Sequence, residues 1–111
     1  MIEIKSIDAL HEAWRKSQLI IFKHSTLCGV SARAYQEVEQ FALVHKDIPI
    51  YLVKVRESRQ VSAEVEQRTG VLHESPQVII VSNGVVIWHA SHYGVTANSI
   101  TGHLNHAPAL V

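Results

Sequence analysis

The chain predicts an α/β domain: a four-stranded mixed sheet with helices on both faces. Three observations carry this. Helical and strand-like apolar patterns alternate along 111 residues, in the order α-β-α-β-α-β-β-α. The first two strands are separated by a helix-length segment, which makes them parallel with a right-handed crossover. The last two are separated by Ser82-Asn83-Gly84, whose Asn-Gly pair is the strongest short hairpin signal. Together they give a mixed sheet whose crossovers cover both faces.

Each element has a local cause. Ser6 is a helix cap with Asp8 favourable in the first turn. Ile7, Leu10 and Trp14 then recur at helical steps. Leu19 to Phe22 is a short apolar run ending in Lys23-His24 and reads as a buried strand. Val30, Ala34, Tyr35, Val38, Phe41 and Ala42 repeat at helical spacing, so a helix is expected from about Cys28 to His45, where Ile48-Pro49 interrupts. Ile50 to Val55, rich in β-branched and aromatic residues, is the second strand. Ser58 is expected to cap a helix carrying Val61 and Val65, which stops at Thr69-Gly70 because glycine permits a left-handed C-terminal turn. Gln77 to Val81 and Val85 to His89 form the hairpin. Thr96 caps a last helix with Ile100 and Leu104 inside, slightly weakened by Gly102.

Composition excludes several function classes. A single domain spanning residues 1–111 is expected at this length. Hydrophobic residues make up 47% and charged residues 18%, so disorder is not expected. Ten Lys plus Arg balance ten Asp plus Glu, which argues against nucleic acid or anionic membrane as a partner. No apolar run is long enough for a membrane span. The N-terminus lacks the pattern of a signal peptide, so the expected location is the cytosol, where thiols stay reduced. After Arg68 the only side-chain charge is Glu74, yet five of the eight histidines lie there. Cys28 is the only cysteine, which rules out an internal disulfide and a Cys-rich zinc site.

That cysteine falls at a predicted helix start, in Ser25-Thr26-Leu27-Cys28-Gly29-Val30-Ser31. The first N–H groups of a helix lack internal partners and carry partial positive charge, which favours a thiolate nucleophile. Lys23 and His24 lie just upstream and add positive field. Ser31 is one helical turn on and can donate a hydrogen bond to sulfur. Pro76 cannot donate in a ladder, so it belongs at the first position of its strand. A cis Ser75–Pro76 bond is compatible with the sequence. The bland alternative is that Cys28 is a small buried hydrophobe.

A thiol at the start of the first crossover helix, with a proline opening the third strand, resembles the thioredoxin fold. The closer resemblance is to the monothiol bacilliredoxins, the small thioredoxin-like proteins of the bacillithiol system. It rests on Lys23-His24-Ser25, on Cys28 with Ser31, on His73-Glu74-Ser75-Pro76-Gln77, on Asn83-Gly84, and on Trp88 followed by Ser91-His92. The family motif Thr-Cys-Pro-Ile-Ser appears here as Leu27-Cys28-Gly29-Val30-Ser31, so a hydroxyl and a preorganising proline are replaced. The resemblance implies a cis proline facing the cysteine and a monothiol exchange reaction. Cys28 would be the nucleophile and Ser31 its hydrogen-bond donor. Lys23, His24, Leu27, Gly29, Ser75 and Pro76 would line the substrate site, with the Ser75 backbone pairing to an extended client. The implied substrates are client proteins capped by bacillithiol. Bacillithiol is then a thiol co-substrate, with no permanently bound cofactor. With no second cysteine in the chain, a low-molecular-weight thiol or another redoxin must recycle the enzyme.

Two other classes fit the same residues. Cys28-Gly29-Val30-Ser31 also resembles the Cys-Gly-Phe-Ser motif of monothiol glutaredoxins, which hold a [2Fe–2S] cluster between two subunits with glutathione. That family's Gly-Gly pair after the hairpin is missing from Val85-Val86-Ile87-Trp88, and anaerobic reconstitution to a brown dimer would reveal a cluster. A non-catalytic thioredoxin-like binding module is the third reading, in which alkylation of Cys28 would follow pH as an ordinary thiol does. Among the histidines, His11, His45 and His106 read as helix-surface residues. His24 and His73 lie near the site as structural residues or carboxylate donors. His89, His92 and His103 lack metal-ligand spacing. Trp14, Phe22, Tyr35 and Phe41 read as core, and the edge strand Val85 to Trp88 is open to pairing with another chain.

Overall fold

The structure is a computed structural model, and it describes residues 1–104. The elements run β1 (Ile2–Glu3), α1 (Ile7–Trp14), β2 (Gln18–His24), α2 (Gly29–Val44), β3 (Ile50–Lys54), α3 (Arg59–Thr69), β4 (Gln77–Ser82), β5 (Val85–Ser91) and α4 (Ala97–Gly102), with a 3-10 turn at His92–Gly94. The expected mixed sheet forms, but with five strands rather than four, in the order β1-β3-β2-β4-β5. The additional strand is Ile2–Glu3, which pairs in parallel with β3 through Ile2–Tyr51 and Glu3–Leu52. Ile4 N–H extends the ladder onto Leu52 O at 2.8 Å.

β2 is the central strand, parallel to β3 and antiparallel to β4. Alternation along β2 and β4 divides the core in two. Leu19, Ile21, Ile79 and Val81 pack with Leu10 and Ala13 of α1 and with Val61 and Val65 of α3. Ile20, Phe22, Val78 and Ile80 pack with Ala34, Val38 and Phe41 of α2 and with Ile100 of α4. Being covered on both faces, β2 and β4 read as apolar runs rather than alternating ones.

Most local signals operate as expected. The Ser6 hydroxyl accepts from Ala9 N–H at 3.1 Å, and the Thr96 hydroxyl from Ser99 N–H at 3.0 Å. Gly70 closes α3 in the left-handed region at φ 69°, its N–H on Glu66 O at 2.9 Å. Asn83 (φ 50°) and Gly84 (φ 79°) make the tight hairpin turn. Ser58 differs: it holds the N-cap position of α3, but its side chain makes no capping bond. His106, read as a surface residue, lies outside the described residues. Among the described residues, no helix is long and apolar enough to cross a membrane.

Candidate active site

The C-terminal end of β2 and the N-terminal end of β4 lie side by side, with Lys23 opposite Gln77. The loop from Ser25 to Cys28 leaves the first, and the Ser75–Pro76 bond enters the second. The topology therefore brings the cysteine and the proline to one end of the sheet.

Cys28 occupies the N-cap position of α2 in extended conformation, at φ −113° and ψ 125°. Its carbonyl accepts the first helical bond from Ala32 N–H at 3.0 Å, so the N–H groups of Gly29, Val30 and Ser31 precede the helical ladder. Cys28 is a free, half-buried thiol. Leu27 before it is 73% exposed, and Gly29 after it is exposed as well. A Cβ at Gly29 would meet no atom within 4 Å, so space does not require glycine there.

Ser31 does something other than the sequence led us to expect. Its hydroxyl is fully buried, accepts from Ser25 N–H at 2.9 Å and is hydrogen-bonded to His24 Nδ1 at 2.8 Å. Among the described residues it makes no hydrogen bond to Cys28. It closes the loop that presents the sulfur, by tying its first residue to the helix that follows. His24 completes the clamp, its ring packed against Phe22 (5.6 Å between centroids) and Tyr35 (5.0 Å). Burial first, and then the Lys54 ammonium, hold His24 below the usual histidine value. The imidazole is therefore neutral at pH 7, as a buried hydrogen-bonding partner needs to be.

The proline side is braced in a parallel way from the opposite face. The Ser75–Pro76 peptide is cis, and Pro76 is buried. Pro76 O accepts from His92 N–H at 2.9 Å, which attaches the turn after β5 to this loop. Gln77 Nε2 donates back to Leu72 O at 2.9 Å, and His73 N–H donates to Glu66 Oε2 at 2.6 Å. Lys23 has no exposed surface, and its ammonium donates to His73 Nδ1 at 3.0 Å. Burial pushes the Lys23 ammonium down to about 8, against a smaller opposing pull from Glu66.

Lys23 and His24 were expected to line the substrate site. The structure buries both and turns them to opposite faces of the sheet. Consecutive strand residues alternate in direction, so one braces the proline loop and the other the cysteine loop. Leu27, Gly29 and Ser75 keep exposed or half-buried surface at this end of the sheet. Two features were not assigned to the site from the sequence. His92 sits at φ 54°, which turns its N–H onto Pro76 O. Tyr93 beside it is 66% exposed, with the Arg33 guanidinium of α2 at 5.6 Å from its ring centre. Leu27, Leu72 and Tyr93, on three separate loops, thus leave large apolar side chains in solvent around this end of the sheet. Among the described residues, no group of three His, Cys, Asp or Glu side chains is placed to hold a metal ion.

Known proteins sharpen this picture. The sequence profile of the monothiol bacilliredoxin BrxC matches residues 2–100. A solved structure described as an inferred oxidoreductase with a thioredoxin fold is similar over 92% of this chain and 91% of its own, at 29% identity and a TM-score of 0.86. A thioredoxin of Entamoeba histolytica follows at 18% identity and a TM-score of 0.74, covering 93% and 95% of the two chains. An oxidised thioredoxin of Plasmodium falciparum gives 13% and 0.73, covering 92% of each. At such identities the two thioredoxins speak for the fold alone.

Proposed function

Because the chain belongs to the monothiol bacilliredoxin family, we propose that it is a thiol–disulfide oxidoreductase that removes bacillithiol from capped protein cysteines. The observation that carries this reading is the position of its one cysteine, half-buried at the N-cap of α2 between an exposed leucine and an exposed glycine. The exposed Leu27, Leu72 and Tyr93 suit a macromolecular client, whose approach would cover them.

The reaction balances without an external oxidant. The Cys28 thiolate attacks the bacillithiol sulfur of the mixed disulfide. A new sulfur–sulfur bond forms as the old one breaks, and the client sulfur leaves as a thiolate that takes a proton from water. Cys28 now carries bacillithiol. A second thiol, either free bacillithiol or a cysteine of another redoxin, attacks that adduct, becomes the new disulfide and restores the Cys28 thiolate. The chain cannot supply this thiol itself, since it has no other cysteine. Such a cycle runs in a reducing compartment, which in this reading is the cytosol.

The test is an assay of client thiol release. A bacillithiol-capped client is incubated with the protein, with and without added bacillithiol. The expected result is one equivalent of client thiol released per protein without it, and continuing turnover with it. Release no faster than in the protein's absence would overturn the reading.

A further inference from the structure

Lysine is almost never fully buried unless it is paired, and Lys23 is fully buried at the end of the central strand. Its ammonium reaches across to the loop between α3 and β4, where His73 Nδ1 lies at 3.0 Å. The same ring nitrogen is 3.3 Å from Ser62 Oγ, and the His73 backbone is held by Glu66. Ser62 and Glu66 belong to α3. The Lys23 bond instead joins the proline loop to β2, the strand that leads into Cys28.

A ring nitrogen accepts this bond only while it carries no proton, whereas the ammonium has protons to donate. The pair is therefore at its best with a single positive charge. With two charges 3.0 Å apart it repels itself, and with none the bond loses its charge assistance. The groups facing the pair are Ser62 and Glu66 from α3, Gln77 from β4 across the ladder, and Glu74 beside His73 in the loop. Burial lowers both members, the Lys23 charge lowers His73 further, and Glu66 and Glu74 oppose that. Lys23 is thus charged and His73 neutral at pH 7.

We propose that Lys23 is a positioning residue for the exchange at Cys28: the single proton it brings to His73 latches the Ser75–Pro76 loop to the strand that carries the cysteine. This rests on Cys28 being the reacting thiol. The latch reaches the cysteine helix through named contacts, from His73 along the loop to Pro76 O, from there to His92 N–H, and from Tyr93 to Arg33 of α2. Rising pH opens the latch by removing the Lys23 proton. Falling pH opens it by protonating His73 Nδ1. Reactivity at Cys28 therefore varies with the charge of the pair, in addition to the ionisation of the sulfur.

The test compares wild type with Lys23→Met and His73→Ala in two measurements. The first is the rate of Cys28 alkylation by iodoacetamide against pH, which needs no bacillithiol and divides out the sulfur's own ionisation when taken as a ratio. The ratio of wild type to Lys23→Met is expected to change by about threefold across the range, turning near pH 8. The second is the NMR titration of the His73 ring, which should shift upward in Lys23→Met as the neighbouring charge is lost. A ratio that stays constant with pH, or an unmoved His73 titration, overturns the proposal. If Lys23→Met does not fold, His73→Ala decides. It removes the acceptor from an exposed side chain, and a wild-type alkylation profile in that variant is likewise contrary. Failed client release alongside a latched alkylation profile would count against the proposed function alone.

Discussion

Cys28→Ser is expected to lower client thiol release by at least about three orders of magnitude while leaving the fold intact. A serine hydroxyl is not ionised near neutral pH and is a poor nucleophile toward disulfide sulfur, whereas exchange proceeds through the thiolate. No other residue of the chain can substitute, because the sequence holds no other cysteine. The cysteine side chain makes no capping bond at its N-cap position, and serine is among the preferred residues there. Thermal stability should therefore be unchanged or slightly raised. Loss of stability together with loss of activity would mean that Cys28 is structural. Residual release above a hundredth of wild type, as an order of magnitude, would mean that another group does the chemistry.

Phe22→Ala is expected to be the most damaging change to the fold near the site. Phe22 is fully buried in the middle of β2, paired with Leu52 on one side and Val78 on the other. Deleting such a ring removes transfer free energy and leaves a cavity, at a cost of about 3–5 kcal/mol. That is a large share of the roughly 5–15 kcal/mol by which such domains are stable. The same ring packs against His24 and Tyr35, so the clamp on the cysteine loop loosens in the fraction that stays folded. Urea unfolding monitored at the tryptophans reads the first effect, and Cys28 alkylation at low urea reads the second. A loss below about 1.5 kcal/mol would show that the neighbouring chains close the space.

Most of the architecture was legible because its signals are local. The Ser6 and Thr96 caps, the left-handed Gly70 and the Asn83-Gly84 turn each act within a few residues. β1 was not legible, since two residues cannot show a period, and only the long-range ladder to Tyr51 and Leu52 makes Ile2–Glu3 a strand. The end of β2 was misjudged for a different reason. Lys23 and His24 end the apolar run and were assigned to the substrate site, yet they continue the ladder opposite Val53 and Lys54 and are buried. Their burial is satisfied by His73 and Ser31, fifty and seven residues away in sequence, which no local pattern reveals.

The same distinction governs the site. Cys28 at a helix start and Pro76 at a strand start follow from element boundaries, and both are where the sequence placed them. Ser31 was expected to donate a hydrogen bond to the sulfur, and the structure gives its hydroxyl other partners. Spacing alone suggested a bond to sulfur, whereas the buried hydroxyl spends itself on Ser25 and His24. Lys23 and His24 were assigned to the substrate site, with a structural role as the other reading of His24, and both brace its loops from beneath. His92 entered only as part of the family resemblance, and its positive φ and its bond to Pro76 O are not readable from a local pattern.

The most direct test of the central claim is the mass of the protein after one encounter with a bacillithiol-capped client, with no second thiol present. The account predicts one bacillithiol adduct, located on Cys28, and an equal quantity of client released with its thiol free. An unmodified Cys28 beside an intact capped client would contradict it, and so would a stable disulfide between Cys28 and the client protein itself.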